Sequence, residues 1–233
     1  MEKRLLSTLI IVVVAVLGTV ASTAQDKWTG IARYAADNEK LLAAPSDPAR
    51  VVLIGNSITD NWPKYRADFF AQHPTLVPRG ISGQTSYQML VRFREDVVNL
   101  HPKAVVINCG TNDIAENGGG PYNEDNTMGN IISMVEIAKA NKIKVYLSSV
   151  LPSKCMYWAS DKTNIQEKIA SLNARIQKYA KKQGLPYINY YTPMVYGEVR
   201  ELNPKYSTDG VHPTADGYRL VMEPVLLKAL RMK

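Results

Sequence analysis

Short apolar runs without polar alternation constrain the fold of this chain more than any other feature. Val51–Ile54 and Ala104–Ile107 are continuous apolar segments, and Lys144–Val150 and Pro186–Tyr190 follow with a weaker apolar character. A short segment, Leu76–Val77, lies between the first two runs. Strands of this kind are buried on both faces, as they are in parallel sheets. The sequence therefore predicts a parallel sheet that is covered on both sides.

Amphipathic stretches separate the apolar runs and predict helices, because their apolar residues recur on one side. The predicted helices cover residues 25–48, 87–100, 131–140, 165–179 and 214–230, the last interrupted at Pro224. Strands and helices alternate throughout, which is typical of a three-layer α/β/α sandwich. No repeat, low-complexity tract or linker divides the chain, so we expect one domain over residues 25–233.

The first two dozen residues differ in kind from the rest. Lys3 and Arg4 precede an apolar run, Leu5–Val20, and four small residues follow up to Ala24. This order predicts a secretory signal peptide, residues 1–24, with cleavage after Ala24 and export to a periplasm or the cell exterior. An uncleaved membrane anchor is the alternative, although the run is short for a span, which needs about 20 apolar residues.

Charge, metal-ligand spacing and cysteines exclude several classes of function. The formal net charge is +7, yet the basic residues are spread thinly and form no stripe that would indicate a nucleic-acid partner. No His-Glu-x-x-His or comparable spacing is present, so we expect neither a metal nor a cofactor. Cys109 and Cys155 can pair after export, but two free thiols are the favoured interpretation.

Ser57 is the first candidate for chemistry. It directly follows the first predicted strand and opens a helix. Ligands of parallel α/β sheets bind beyond the carboxyl ends of the strands, and a helix N-terminus favours a developing anion. A helix N-cap is the alternative role for a serine in this place. Because a serine hydroxyl is a weak nucleophile, the enzymatic interpretation requires a base.

His212 is the candidate for that base. The chain has three histidines, and His73 and His101 lie at the amino ends of predicted strands, away from Ser57. Asp209 precedes His212 by three residues across Gly210, a spacing that lets a carboxylate orient one ring nitrogen. An Asp-capped turn with an incidental histidine is the alternative.

Two further strand ends supply candidate hydrogen-bond donors. Gly83 follows the second strand with an unshielded backbone N–H, and Asn112 follows the third with a side-chain amide. Together they can form an oxyanion hole, which stabilises the tetrahedral intermediate of acyl transfer. Ordinary turns are the alternative for each residue, since Gly and Asn are common there.

These segments resemble the four motif blocks of the SGNH hydrolases, also called GDSL-type esterases and acylhydrolases. The counterparts, in the family's order, are residues 55–59, the segment around Gly83, residues 110–113 and residues 209–212. The resemblance implies a five-stranded parallel, flavodoxin-like sheet. It also implies a Ser57-His212-Asp209 triad, with an oxyanion hole formed by the Ser57 and Gly83 amides and the Asn112 side chain. Asn56 departs from the family's usual Asp.

The substrate is less constrained than the reaction. The expected activity is hydrolysis of small acyl esters, foremost acetyl esters, and carbohydrates are a candidate carrier because exposed aromatic residues can stack on sugar rings. The aromatic candidates for substrate binding are Trp62, Tyr122, Tyr157 and Trp158, although each can equally pack a loop onto the core. Two alternatives stay open: a lysophospholipase or platelet-activating-factor-type acetylhydrolase, and a non-catalytic glycan-binding protein.

Overall fold

A parallel sheet forms the middle layer of the molecule. The computed structural model describes residues 27–232, so the predicted signal peptide, residues 1–24, lies outside the described residues. The sheet has five strands in the order β2-β1-β3-β4-β5, all parallel. The strands are β1 (Val51–Gly55), β2 (Leu76–Gly80), β3 (Ala104–Ile107), β4 (Lys144–Ser148) and β5 (Tyr187–Ile188). This architecture confirms the three-layer α/β/α sandwich with a five-stranded, flavodoxin-like sheet.

Each strand contributes to two apolar cores, one on either face of the sheet. In β1, Val52 and Ile54 lie in one core, whereas Val51 and Leu53 lie in the other. The pleat sends successive side chains to opposite faces, so a strand that is covered on both sides must be apolar at every position. This requirement explains why the strands appear in the sequence as continuous runs.

Helices cover both faces, and most lie where the apolar spacing predicts them. The helices are α1 (Ala35–Ala43), α2 (Ser57–Tyr65), α3 (Ala67–Gln72), α4 (Ser86–Asp96), α5 (Thr111–Ile114), α6 (Glu124–Ala140), α7 (Ile165–Gln183), α8 (Tyr191–Met194), α9 (Ala215–Gly217) and α10 (Glu223–Leu230). A 3₁₀ turn, Val98–Leu100, follows α4, and a short antiparallel pair, β6 (Val195–Tyr196) and β7 (Glu201–Leu202), was not predicted.

The last predicted helix is interrupted before its proline rather than at it. A π-helical turn, Tyr218–Met222, separates α9 from α10, and Pro224 occupies the first turn of α10. Proline has no N–H to donate and its ring crowds the carbonyl four residues earlier. The wider π turn relieves that crowding.

Close packing and a buried ion pair fix the strand ends on which the site is built. A Cβ added to Gly80, at the end of β2, would lie 2.1 Å from the Asp60 amide nitrogen, so α2 packs directly against this backbone. Arg92 and Asp96 are fully buried and 2.8 Å apart. Arg92 also donates to the Gly55 carbonyl at 2.9 Å and to the Gln84 side chain at 2.6 Å. The network therefore ties the end of β1 to the loop after β2.

Candidate active site

Ser57 lies at the N-terminus of α2, directly after β1. Asn56 caps the helix, since its side-chain oxygen accepts a hydrogen bond from the Ile58 amide at 3.1 Å. Asn56, and not the serine, therefore carries the N-cap role that was the alternative for Ser57. The strand order places the crevice of a doubly wound sheet between β1 and β3, where neighbouring crossovers diverge. Ser57 opens onto that crevice.

The imidazole of His212 reaches Ser57 from a loop near the other end of the chain. His212 Nε2 lies 2.9 Å from Ser57 Oγ, and His212 Nδ1 lies 2.7 Å from Asp209 Oδ2. Hydroxyl, imidazole and carboxylate are thus in hydrogen-bond contact in series. In this order, a carboxylate keeps the proton on the near ring nitrogen and leaves the far one free to accept the hydroxyl proton.

Asp209 is held as a carboxylate by its own turn. Partial burial raises its pKa, but hydrogen bonds from His212 and from the Val211 amide outweigh this and bring the pKa below its usual value. Its Oδ1 atom accepts from the Val211 and His212 amides at 2.8 and 2.7 Å. The side chain therefore fixes the turn with one oxygen and orients the ring with the other.

Gly83 and Asn112 line the same cleft as Ser57 and His212. Gly83 has a φ of +81°, a conformation that favours glycine, and a Cβ there would meet nothing within 4 Å. Asn112 is 2% exposed and donates to the Gln84 carbonyl at 3.0 Å, which leaves its second amide hydrogen free for a ligand. The cleft encloses about 500 Å³, a typical size for a small-molecule site.

The match to known proteins agrees with this geometry. The model of the GDSL-like lipase/acylhydrolase family matches residues 53–220, which include Ser57, Gly83, Asn112, Asp209 and His212. The chain belongs to this family. It is accordingly an ester hydrolase, as the resemblance implied.

Solved structures of other GDSL-like proteins superpose on the chain. A GDSL-like lipase from Bacteroides thetaiotaomicron is 52% identical with a TM-score of 0.82, and the match covers 87% of this chain and 98% of that one. A protein assigned as an acylhydrolase, from Bacteroides fragilis, is 49% identical with a TM-score of 0.81, covering 88% and 97%. An acetylxylan esterase from Geobacillus stearothermophilus is 16% identical with a TM-score of 0.64, covering 81% and 97%, and shows the fold alone. No curated protein matches the sequence.

Two of the four aromatic candidates of this GDSL-like enzyme lie at the cleft. Tyr157 and Trp158 line it, and the Trp158 ring stacks on His212 with centroids 6.1 Å apart and planes 28° apart. Both are well exposed, at 58% and 38%. They occupy the loop between β4 and α7, which covers the imidazole.

The prediction that Trp62 contacts substrate is wrong. Trp62 is only 3% exposed, stacks on Phe69 and Tyr218, and donates its indole N–H to Glu223 at 3.3 Å. Its position on α2, five residues after Ser57, turns it away from the crevice and into the core beneath the helix. Helical spacing from Ser57 could have indicated this orientation.

Tyr122 does not line the cleft either. It borders a neighbouring cavity of about 250 Å³ together with Trp28, Tyr87 and Pro121. Burial raises its pKa. Asp113, which follows Asn112, also faces this second cavity, where it accepts hydrogen bonds from the Ser86 amide at 3.0 and 3.2 Å. Residues 112 and 113 thus face different cavities, and only the first belongs to the cleft with Ser57.

Several cleft residues of the GDSL-like enzyme were not predicted. They are Asn61, Tyr65, Ser82 and Asn117. Ser82 is next to Gly83, and Asn61 and Tyr65 lie one and two helical turns beyond Ser57, so helical spacing could have found them. Asn117 follows the third block in a turn that carries no recognisable pattern.

No group of three or more metal-ligating side chains is found within residues 27–232, and no helix in that range is long and apolar enough to span a membrane. Cys109 and Cys155 are both free thiols, which agrees with the favoured interpretation. Burial raises the pKa of Cys109 well above its usual value, so this thiol is inert.

Proposed function

We propose that the chain hydrolyses small acyl esters, foremost acetyl esters, with Ser57 as nucleophile, His212 as general base and acid, and Asp209 as its orienting carboxylate. The 2.9 Å contact between Ser57 Oγ and His212 Nε2 carries the proposal. A hydroxyl in this contact can give up its proton as its oxygen attacks a carbonyl carbon.

The reaction follows from these contacts in two halves. Ser57 Oγ bonds to the ester carbon, its proton moves to His212 Nε2, and the carbonyl electrons move onto oxygen. The Gly83 and Ser57 amides and the Asn112 amide donate to that oxyanion. The intermediate then expels the alcohol, which takes the proton from His212. Water repeats the sequence on the acyl-enzyme, and the carboxylic acid leaves.

Carbohydrate esters are the proposed substrates because of what lines the cleft. Of the described residues at its walls, none is aliphatic: they are Ser57, Asn61, Tyr65, Ser82, Gly83, Asn112, Asn117, Tyr157, Trp158, Asp209 and His212. Hydroxyl, amide and aromatic groups suit a sugar, which presents both hydroxyls and apolar ring faces. A long acyl chain would find no aliphatic side chain among these residues.

Lipid esters are the second candidate. The cavity bordered by Trp28, Tyr87 and Tyr122 is the more apolar neighbour of the cleft and could accept an acyl chain. Esters of increasing acyl length distinguish the two proposals. We expect the rate to fall steeply beyond acetyl or propionyl groups, whereas a lipid hydrolase would prefer longer chains.

Replacement of the nucleophile tests the enzymatic proposal. Ser57→Ala should lower kcat on p-nitrophenyl acetate at least a thousandfold, because without the hydroxyl no acyl-enzyme forms. A fluorophosphonate probe should label the wild type and not Ser57→Ala. Wild-type protein that is folded yet neither hydrolyses acetyl esters nor takes up the probe would instead favour a non-catalytic glycan-binding protein.

We also propose that the enzyme is exported, with residues 1–24 removed. Support comes from the charged, apolar and small-residue segments of the N-terminus alone. N-terminal sequencing of the protein from the periplasm or medium should begin at Gln25. Recovery of the uncut chain in the membrane fraction would favour the anchor.

A further inference from the structure

Two hydrogen bonds and a ring contact connect the amide of Asn112 to the imidazole of His212. Asn117 donates from Nδ2 to Asn112 Oδ1 at 2.9 Å. Trp158 donates its indole N–H to Asn117 Oδ1 at 2.9 Å, and its ring stacks on His212. Asn117 and Trp158 lie outside the four motif blocks, in two separate loops.

The groups at the two ends of this hydrogen-bonded series, the Trp158 indole and the Gln84 carbonyl, fix the orientation of the Asn117 and Asn112 amides. An indole N–H can only donate, so the oxygen of Asn117 must face Trp158 and its nitrogen must face Asn112. A backbone carbonyl can only accept, so the nitrogen of Asn112 must face Gln84, which lies 3.0 Å away. Both constraints select the same orientation of Asn112, with Oδ1 towards Asn117.

The orientation of Asn112 decides what the cleft presents to a substrate. With Oδ1 bound to Asn117, the second N–H of Asn112 is free, and it has no acceptor among the described residues. A flipped amide would instead place its oxygen where an oxyanion develops, and the two oxygens would repel. Asn112 is 2% exposed, so little water is available to compensate for a mismatched amide.

We propose that Asn117 and Trp158 are positioning residues that hold the Asn112 amide with its N–H towards the substrate oxyanion. This inference rests on the proposed function, since it assigns a cause to the orientation of one of its oxyanion donors. Trp158 therefore has a role besides stacking on a substrate. Its indole N–H orients the oxyanion side of the cleft, while its ring packs against the base.

Two neutral variants of Asn117 test the first link. Asn117→Ala and Asn117→Leu remove the donor to Asn112, and the Leu side chain preserves the volume. Loss of a whole oxyanion donor slows acyl transfer about 10²–10³-fold, so a misoriented donor should cost about 10–100-fold. We expect kcat and kcat/KM on p-nitrophenyl acetate to fall together, because the contact forms only in the transition state. The matched control, Asn99→Ala, should keep the wild-type rate, since Asn99 bonds Glu95 at a solvent-facing site away from the cleft.

A double-mutant cycle separates positioning from a general structural role. If Asn117 acts through Asn112, then Asn117→Ala should have no further effect on kcat in an Asn112→Ala background. A role in loop folding would instead lower kcat by the same factor in both backgrounds. Equal factors in the two backgrounds would overturn the inference.

Two variants of Trp158 test the second link. Trp158→Phe keeps a ring on His212 but removes the N–H, so kcat should fall about 3–30-fold with an unchanged pH profile of kcat/KM. In an Asn117→Ala background the same replacement should have no effect. Trp158→Leu removes the ring as well as the N–H and should lower kcat at least as far as Trp158→Phe does.

The outcomes also separate this inference from the proposed function. An inactive Ser57→Ala together with fully active Asn117→Ala and Trp158→Phe would overturn the positioning role and leave the triad intact. An active Ser57→Ala would overturn the triad and, with it, the positioning role.

Discussion

Asp209→Asn is the replacement for which the structure predicts the sharpest result, because it exchanges one oxygen for an NH₂ group and leaves the shape of the side chain unchanged. Oδ1 of Asp209 accepts hydrogen bonds from two backbone amides, at 2.8 and 2.7 Å, and Oδ2 lies 2.7 Å from His212 Nδ1. An amide nitrogen at the Oδ1 position would face two N–H donors. The nitrogen of the substituted side chain must therefore occupy the Oδ2 position and face the imidazole.

This placement forces the wrong tautomer on His212. The amide of the variant donates to Nδ1, so the ring proton moves to Nε2, which lies 2.9 Å from Ser57 Oγ. A protonated Nε2 cannot accept the serine proton. Replacements of this type in serine hydrolases lower kcat by about 10⁴-fold, or about 5 kcal/mol of transition-state stabilisation. Since the turn keeps its acceptor oxygen, the free energy of unfolding should change by less than about 1 kcal/mol.

Three measurements check this prediction: kcat on p-nitrophenyl acetate, urea unfolding and the ¹⁵N shifts of the His212 ring. Asp209→Ala is the matched control, because it removes the acceptor of the turn and should lower the free energy of unfolding by about 1–3 kcal/mol. The reasoning is refuted if folded Asp209→Asn keeps more than a tenth of the wild-type kcat. It is also refuted if activity is lost while the proton stays on Nδ1.

Three further predictions concern stability and the oxyanion side of the cleft. Arg92→Met leaves the buried carboxylate of Asp96 without its cationic partner and should lower the free energy of unfolding by about 3–5 kcal/mol, as measured by urea unfolding. Adding Asp96→Leu should restore only part of this loss, because the Gly55 carbonyl and the Gln84 side chain still lack the donors that Arg92 supplied. Gly83→Ala meets no clash but is strained at φ +81°, so we expect a soluble protein, about 1–2 kcal/mol less stable, with a lower kcat. Burial raises the pKa of Asp60, but hydrogen bonds from a serine and a lysine outweigh it and leave the pKa below its usual value. Its contribution to stability is therefore present above about pH 4 and lost as the pH falls through the lowered value, so the stability gap between the wild type and Asp60→Asn should close in acid.

Most of the fold could be predicted from the sequence because burial on both faces imposes a simple rule. The β1 and β3 runs are apolar at every position, and both strands occur where predicted. β5 has only two paired residues, although the apolar run suggested five, because the Tyr190 amide bonds the Ser149 side chain and α8 begins at Tyr191. The start of α6 at Glu124 was missed by seven residues, because its first turns are polar and are fixed by the Asn123 cap.

Part of the candidate site could also be predicted from the sequence, and part could not. Ser57, Gly83 and Asn112 could be predicted because each closely follows a strand, and parallel strands end at the same edge. The spacing on α2 already places Trp62 on another face than Ser57, but its contacts with Tyr218 and Glu223 could not be predicted, since those residues lie at the far end of the chain. Asn117 could not be predicted from the sequence at all. Its proposed role depends on side-chain hydrogen bonds to Asn112 and Trp158, and no periodicity in the sequence encodes such contacts.

Different contacts hold the two sides of the cleft, the side with Ser57, Gly83 and Asn112 and the side with His212. Ser57 and Gly83 follow the end of β1 and lie in the loop after β2, which Arg92 joins by hydrogen bonds to the Gly55 carbonyl and the Gln84 side chain. His212 lies on a turn held largely by Asp209, and its ring contacts the rest of the cleft through Ser57, Tyr157 and Trp158. If His212, Gly83 and Asn112 have the proposed roles, a movement of that turn would withdraw the base while the oxyanion donors keep their positions. Loosening of the Trp158 loop should instead affect both halves at once, since this loop contacts the donor side through Asn117 and the base through the Trp158 ring.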